Sequence, residues 1–278
     1  MSSSNVDVLK LYFGDPYPIN EKITIYQPTI QDIIDYGESE FYALVFMFIG
    51  NTTYRKLFLW ENGIDWNRMC DYELFVNMVR ALPLEKTRIF FGDIDFEKFD
   101  LYETGWQPPE EEPEVDENGK PKKLTATEKR KKLFEKFEKS YTFYNEEQDI
   151  EIDAETYKHL VDAMRNMMKI FPKTEYTVGK TSKELLITEE REKIKKAERE
   201  STDAPVSTLL PLISACVNHP GFKYKSNELK QIHIFEFMDS VQRLQVYEST
   251  RALLAGGYSG FADLSKVPKE QFDFMRNL

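Results

Sequence analysis

The side chains able to hold a metal, carry a proton or act as a nucleophile are few and scattered. Apart from carboxylates, hydroxyls and lysine amines, such groups are three histidines, His159, His219 and His233, and two cysteines, Cys70 and Cys216. Neither HExxH nor CxxC occurs, so no recognised ligand motif gathers them, and a histidine outside such a cluster ordinarily has a structural or surface role. Widely separated cysteines read as small buried hydrophobes in a reducing compartment rather than as a disulfide framework. Asp93-Ile94-Asp95 is the closest approach to a metal or acid–base pair. It falls in a stretch that reads as a turn between strands, where aspartate commonly bonds to the turn backbone. Gly256-Gly257-Tyr258-Ser259-Gly260 lacks the following Lys-Ser/Thr of a phosphate loop and comes after a helix instead of before one, which points to a helix C-cap. No GxSxG nucleophile setting is present. These residues predict no catalytic site, no cofactor and no metal.

Two other constellations concern binding. Lys129-Arg130-Lys131-Lys132, with Phe134 and Phe137, is the best candidate for a phosphate-binding face. Glu128, Glu135 and Glu138 interleave it at helical spacing, which favours a salt-bridged, solvated helix. Met164, Met167 and Met168 form an adaptable cluster suited to core packing, and such residues can also serve promiscuous binding.

The elements that would carry these residues read as an α+β fold, predominantly helical, with an N-terminal hairpin and a small antiparallel sheet in the middle. Val8–Phe13 and Lys22–Tyr26, rich in β-formers, flank a turn-rich stretch and predict the opening hairpin. Thr29 is placed to cap a helix carrying Ile30, Ile33 and Ile34, with Gly37 as its end. Phe41–Ile49 is apolar on every side, as a central core helix would be. Asp71 is placed to cap a helix with Phe75, Met78, Val79 and Leu82 on one face. Arg88–Phe91, Phe99–Glu103, Tyr141–Tyr144 and Asp149–Ile152 read as strands that could close into one sheet.

Three regions follow: 1–105, an N-terminal α+β region; 106–140, a charged insertion with little core of its own; and 141–278, a hairpin followed by a helical C-terminal region. Asp153 caps a helix from Tyr157 towards Phe171, stopped by Pro172. Thr188–Ser201 has almost no apolar face. A short apolar helix around Ser207–Val217 comes next. In the last fifty residues Ile234, Phe237, Val241, Leu244 and Tyr247 form the stripe of an amphipathic helix, which Gly256 and Gly257 would close and a short aromatic helix (Phe272, Phe274, Met275) would follow. Phe235, Tyr258 and Phe261 lie off the stripe. They are candidate partner-binding residues, and the alternative is that Tyr258 and Phe261 staple the glycine turn to the last helix.

A chain of 278 residues, 41% apolar and 14% aromatic, has ample material for a core. Its net charge of −11 argues against a whole-surface nucleic-acid or anionic-membrane binder. The longest apolar run, nine residues, is far below the roughly 20 needed to cross a bilayer. The first residues show no secretory signal, and a cytoplasmic location is expected.

Two blocks carry a resemblance. Ile25-Tyr26-Gln27-Pro28-Thr29-Ile30-Gln31-Asp32-Ile33-Ile34-Asp35-Tyr36-Gly37-Glu38 resembles the opening of proteins encoded in the tail modules of tailed bacteriophages. Phe235–Leu244, with Leu253–Asp263 and Phe272-Asp273-Phe274, resembles the close of tail assembly chaperones. Together they cover about a third of the chain as diffuse apolar and glycine patterns. The family is typically shorter and mostly helical, so the sheet-like middle and the charged insertion depart from it. The resemblance implies a non-enzymatic protein of the host cytoplasm that binds the tape measure protein, keeps its apolar helices soluble and recruits the major tail protein. A structural virion protein of the neck, tail or baseplate is the alternative.

Overall fold

The computed structural model describes residues 6–108, 124–200, 207–260 and 263–276. It is α+β and predominantly helical, with two small antiparallel sheets. The chain opens with α1 (Val8–Tyr12), then a minimal hairpin of β1 (Tyr17–Pro18) and β2 (Thr24–Ile25). The expected strand at Val8–Phe13 is thus a helix. The Asp7 carboxylate caps it by accepting from the Lys10 amide at 3.3 Å, and only Leu11 is buried, so alternation gains nothing there. Gly14, at φ +73°, turns the chain out of α1 and lies against the His233 ring, where a Cβ would fall 2.3 Å from Nδ1.

Thr29 and Asp32 form the expected capping box of α2 (Ile30–Tyr36), and Gly37 ends it at φ +94°. The next helix, α3 (Glu38–Ile49), is the central one: Phe41, Leu44, Val45, Phe48 and Ile49 are buried. Its C-terminal carbonyls are held by two arginines, Arg165 on Ile49 O at 2.8 Å and Arg55 on Phe46 O at 3.4 Å, where the helix dipole favours positive charge. Next come α4 (Lys56–Glu61), α5 (Asp71–Val79) and α6 (Leu84–Phe91). Arg88–Phe91, expected as a strand, is the last turn of α6. In a strand Phe90 and Phe91 would face opposite sides, whereas neighbours on a helix both reach the same core, and both are buried.

The cap of α5 is not Asp71 but Cys70, whose Sγ accepts from the Glu73 amide at 3.3 Å, while Asp71 Oδ1 accepts from the Thr52 amide at 2.8 Å. Burial pushes the Cys70 thiol up to about 12. In the unfolded chain the thiol ionises near its ordinary value, so stability is lost as pH rises above roughly 8.5. Between about pH 7.5 and 9.5 the Cys70 contribution amounts to ~1.4 kcal/mol. Urea unfolding at the two pH values checks this, and Cys70→Ser, which keeps a capping oxygen, should flatten the dependence by about that amount.

The larger sheet has the order β3 (Phe99–Glu103), β4 (Tyr141–Asn145), β5 (Ile150–Ile152), as the strand readings on either side of the insertion implied. Between β3 and β4 lies α7 (Ala126–Ser140), capped by Thr125 and Glu128. Phe134 and Phe137 of α7 pack on the main core, and the Phe137 ring lies 6.0 Å from that of Tyr72. The basic half of the insertion thus rests two half-covered rings on the core, while none of the residues of α7 is itself buried. Its acidic half falls largely in 109–123, outside the described residues.

Asp153 caps α8 (Ala154–Met168), whose Tyr157, Leu160, Val161, Met164, Met167 and Met168 are all buried. The three methionines are core, and Phe171 is exposed beyond the helix end. Next is α9 (Lys180–Glu200). It is mostly exposed, yet Ile187 is buried in a satellite cluster with Leu59, Trp66, Met69 and Leu74, and Lys183 Nζ meets Asp65 Oδ2 at 2.6 Å. After α10 (Leu209–Asn218) and the single turn α11 (Ser226–Leu229) comes α12 (Ile234–Tyr258), 25 residues long. The main core joins side chains from residues 11–99 with others from 143–241, so the two flanking regions share one interior. Among the described residues no helix is long and apolar enough to cross a membrane.

Candidate partner-binding groove

Ile234, Phe237 and Val241 of the α12 stripe are buried, Leu244 is partly covered, and Tyr247 emerges into solvent. Beyond that point the chain covers α12 with itself. Gly256 and Gly257 do not close the helix: both are within it, Ser259 Oγ donates to the Ala255 and Gly256 carbonyls, and the left-handed glycine is Gly260 at φ +78°. The physical reason is a close approach, because a Cβ on Gly257 would fall 2.1 Å from Leu264 Cδ1. The closing aromatic helix is also absent in the expected form. Residues 263–276 make two short 3-10 turns, Leu264–Lys266 and Lys269–Phe272, and run back along α12. Thr250 Oγ1 donates to Gln271 O at 3.0 Å, Arg243 donates to Phe274 O at 2.7 Å and Arg276 O at 2.9 Å, and the Tyr247 and Phe274 rings meet edge to face.

Between α12, the end of α1, the 219–224 loop and this strap lies a groove of about 740 Å³. Tyr12, Phe222, Tyr224, Leu244, Tyr247, Phe274 and Met275 supply its apolar walls. Several of its polar side chains are bonded to residues at its margin. Tyr224 Oη donates to Glu236 Oε1 at 2.6 Å, and that carboxylate pushes the Tyr224 phenol up to about 12. Burial raises Tyr12, with Glu236 and Asp239 adding to it. His219 Nε2 faces Glu248 at 3.2 Å while Nδ1 accepts from the Gly221 amide at 3.0 Å. Nε2 thus ties the loop to α12 while Nδ1 holds the loop's own turn, so both ring nitrogens are engaged in a structural clip.

No protein-family model, curated protein or solved structure matches this chain.

The sequence-derived partner residues do not meet in this groove. Phe235 is fully buried, with the Lys169 ammonium 4.5 Å from its ring centre and Tyr12 edge-on at 6.4 Å. A residue next to an amphipathic stripe reads as off-face, but here α1 and α8 cover α12 from two sides, so the neighbour is core too. Tyr258 is 88% exposed, at the far end of the helix, about 35 Å from Phe235 at 1.5 Å per residue. Phe261 lies outside the described residues. Tyr12, Phe222 and Tyr224 escaped sequence reading. The only signal was aromatic density in short segments without periodicity, which does not say which rings remain uncovered.

The other constellations have settled structural roles. Asp93 pairs with Arg88 at 2.8 Å, Asp95 caps the turn at Phe96–Lys98, and the Gln148 side chain bridges the Asp93 carbonyl and the Asp95 amide. That turn adjoins a polar cleft of about 560 Å³, across which Lys22 is bonded to Asp149. His159 packs edge-on to Tyr17. Cys216 stands three residues before His219, a spacing two ligands can share, but its thiol is buried in the core while the imidazole faces Glu248. Among the described residues no group of three or more His, Cys, Asp or Glu side chains is arranged to hold a metal. Arg130 lies between the Phe134 and Tyr176 rings, at 4.8 and 4.6 Å, so the centre of the basic run is committed to stacking.

Proposed function

We propose that this protein is a non-enzymatic tail assembly chaperone of a tailed bacteriophage, binding the tape measure protein and recruiting the major tail protein in the host cytoplasm. The observation that carries the reading is the open, aromatic-walled groove along α12, several of whose polar side chains are already bonded to neighbouring residues. Such a groove offers apolar surface to an amphipathic helix while the acidic exterior keeps the complex dispersed. Co-expression with a tape-measure fragment tests it. Tyr247→Asp and Met275→Asp, at exposed wall positions, should leave the melt within about 1 kcal/mol of wild type and reduce capture at least about tenfold. Unchanged capture by both variants would remove the groove as the site. Detection of the protein at fixed copy number in purified particles would favour a structural virion component instead, since a chaperone leaves when the tube assembles.

A further inference from the structure

The strap at 263–276 is organised by its own contacts. The Asp263 carboxylate accepts from the Ser265 amide and hydroxyl, Asp273 Oδ1 accepts from the Met275 amide, and Arg276 donates to the carbonyls of Glu270 and Asp273. None of its described residues is buried. What holds it on α12 is narrow: the Leu264 side chain in the slot over Gly257, the Tyr247–Phe274 ring contact, and three strap carbonyls captured by Thr250 and Arg243. The hydrogen-bonded part of that recognition reads backbone carbonyls, and the whole of it is met equally well by the same strap arriving from another molecule.

We propose that the strap exchanges between copies, so that residues 263–276 of one protein dock on α12 of a second and the reverse, giving a two-fold dimer in which each groove is walled by Phe274 and Met275 of the other chain. A self-shaped segment joined to its helix at one point, by a turn at Gly260, loses no internal contact when it changes host. Reciprocal exchange closes, so it gives a dimer and not a filament. The chemistry of the slot selects this occupant: a glycine-floored notch for one leucine, and donors spaced for the carbonyls of residues 271, 274 and 276.

Two full-length variants, Gly257→Cys and Leu264→Cys, test it on the purified protein without any partner. An added Cβ at 257 lies 2.4 Å from Leu264 Cγ, so cysteines at the two positions come within disulfide reach only where a strap sits in a slot. Cys70 and Cys216 are buried and do not compete. Oxidised together, the two single variants should give a disulfide-linked mixed dimer that neither gives alone. For the wild-type chain, sedimentation should show a dimer fraction rising about tenfold for a tenfold rise in concentration in the dilute range. A mixture that stays monomeric, or a wild-type chain monomeric at every concentration, overturns the proposal. A Gly257→Cys/Leu264→Cys double variant that closes its disulfide only within single chains overturns it too, by showing the strap fixed on its own helix.

Discussion

Phe235→Ala is expected to lower stability by about 3–5 kcal/mol, the usual range for emptying a buried aromatic site. The ring is fully enclosed between α12, α1 and α8, and it is also the face on which the Lys169 ammonium rests, 4.5 Å away. Lys169 is itself nearly buried, with Asp239 at 3.6 Å as its ionic partner, so removal of the ring leaves a desolvated cation with one neighbour fewer. Tyr258→Ala is the matched control. At 88% exposure it should shift the melt by no more than about 0.5 kcal/mol. Chemical denaturation of both variants decides the matter. Equal, small effects would mean that the α1–α12 contact is open in solution and that Phe235 is available to a partner after all.

The second large effect is expected at Tyr72. Its ring is completely buried in α5, and its hydroxyl donates to Ile152 O at 2.7 Å while accepting from the Phe143 amide at 3.1 Å. Those two residues face each other across β4 and β5, so one phenol ties the sheet to the helical core. Tyr72→Phe keeps the shape and opens no cavity, yet it leaves a buried amide and a buried carbonyl each short of a partner. At about 1–3 kcal/mol for each such group, the loss should reach roughly 2–6 kcal/mol. Hydrogen exchange should show the Phe143 amide losing protection well before the amides of α3. A variant as stable as wild type would show that water substitutes for the hydroxyl.

These expectations separate two kinds of aromatic residue that look alike in the sequence. Phe235, Tyr72 and Phe48 hold the fold, whereas Tyr12, Tyr224 and Tyr247 form the wall of an open groove. The same separation runs along α12. Its first turns are core, and its second half is a surface that the chain's own strap covers.

The elements legible in the sequence were those set by interactions between near neighbours. The Thr29 capping box, the apolar α3, the Asp153-capped methionine helix and the hairpin at 141–152 depend on a local cap, a local period or a turn, and each stands where its pattern put it. Composition showed in the same way that a core could form, since apolar content sufficient for one needs no knowledge of topology. What failed was decided by contacts far apart in the chain. Val8–Tyr12 and Arg88–Phe91 carry β-formers but are helices, because only Leu11 of the first is buried and both phenylalanines of the second must reach one interior. Gly256 and Gly257 look like a helix end and are interior, and at Gly257 the reason is Leu264, which needs a surface without a side chain there. The groove follows the same rule. Which rings remain exposed depends on how α1, α12, the 219–224 loop and the strap meet, and no local period records that meeting. Caps and periodicity are written into neighbouring residues, whereas the covering of a face by a distant segment exists only once the chain has packed.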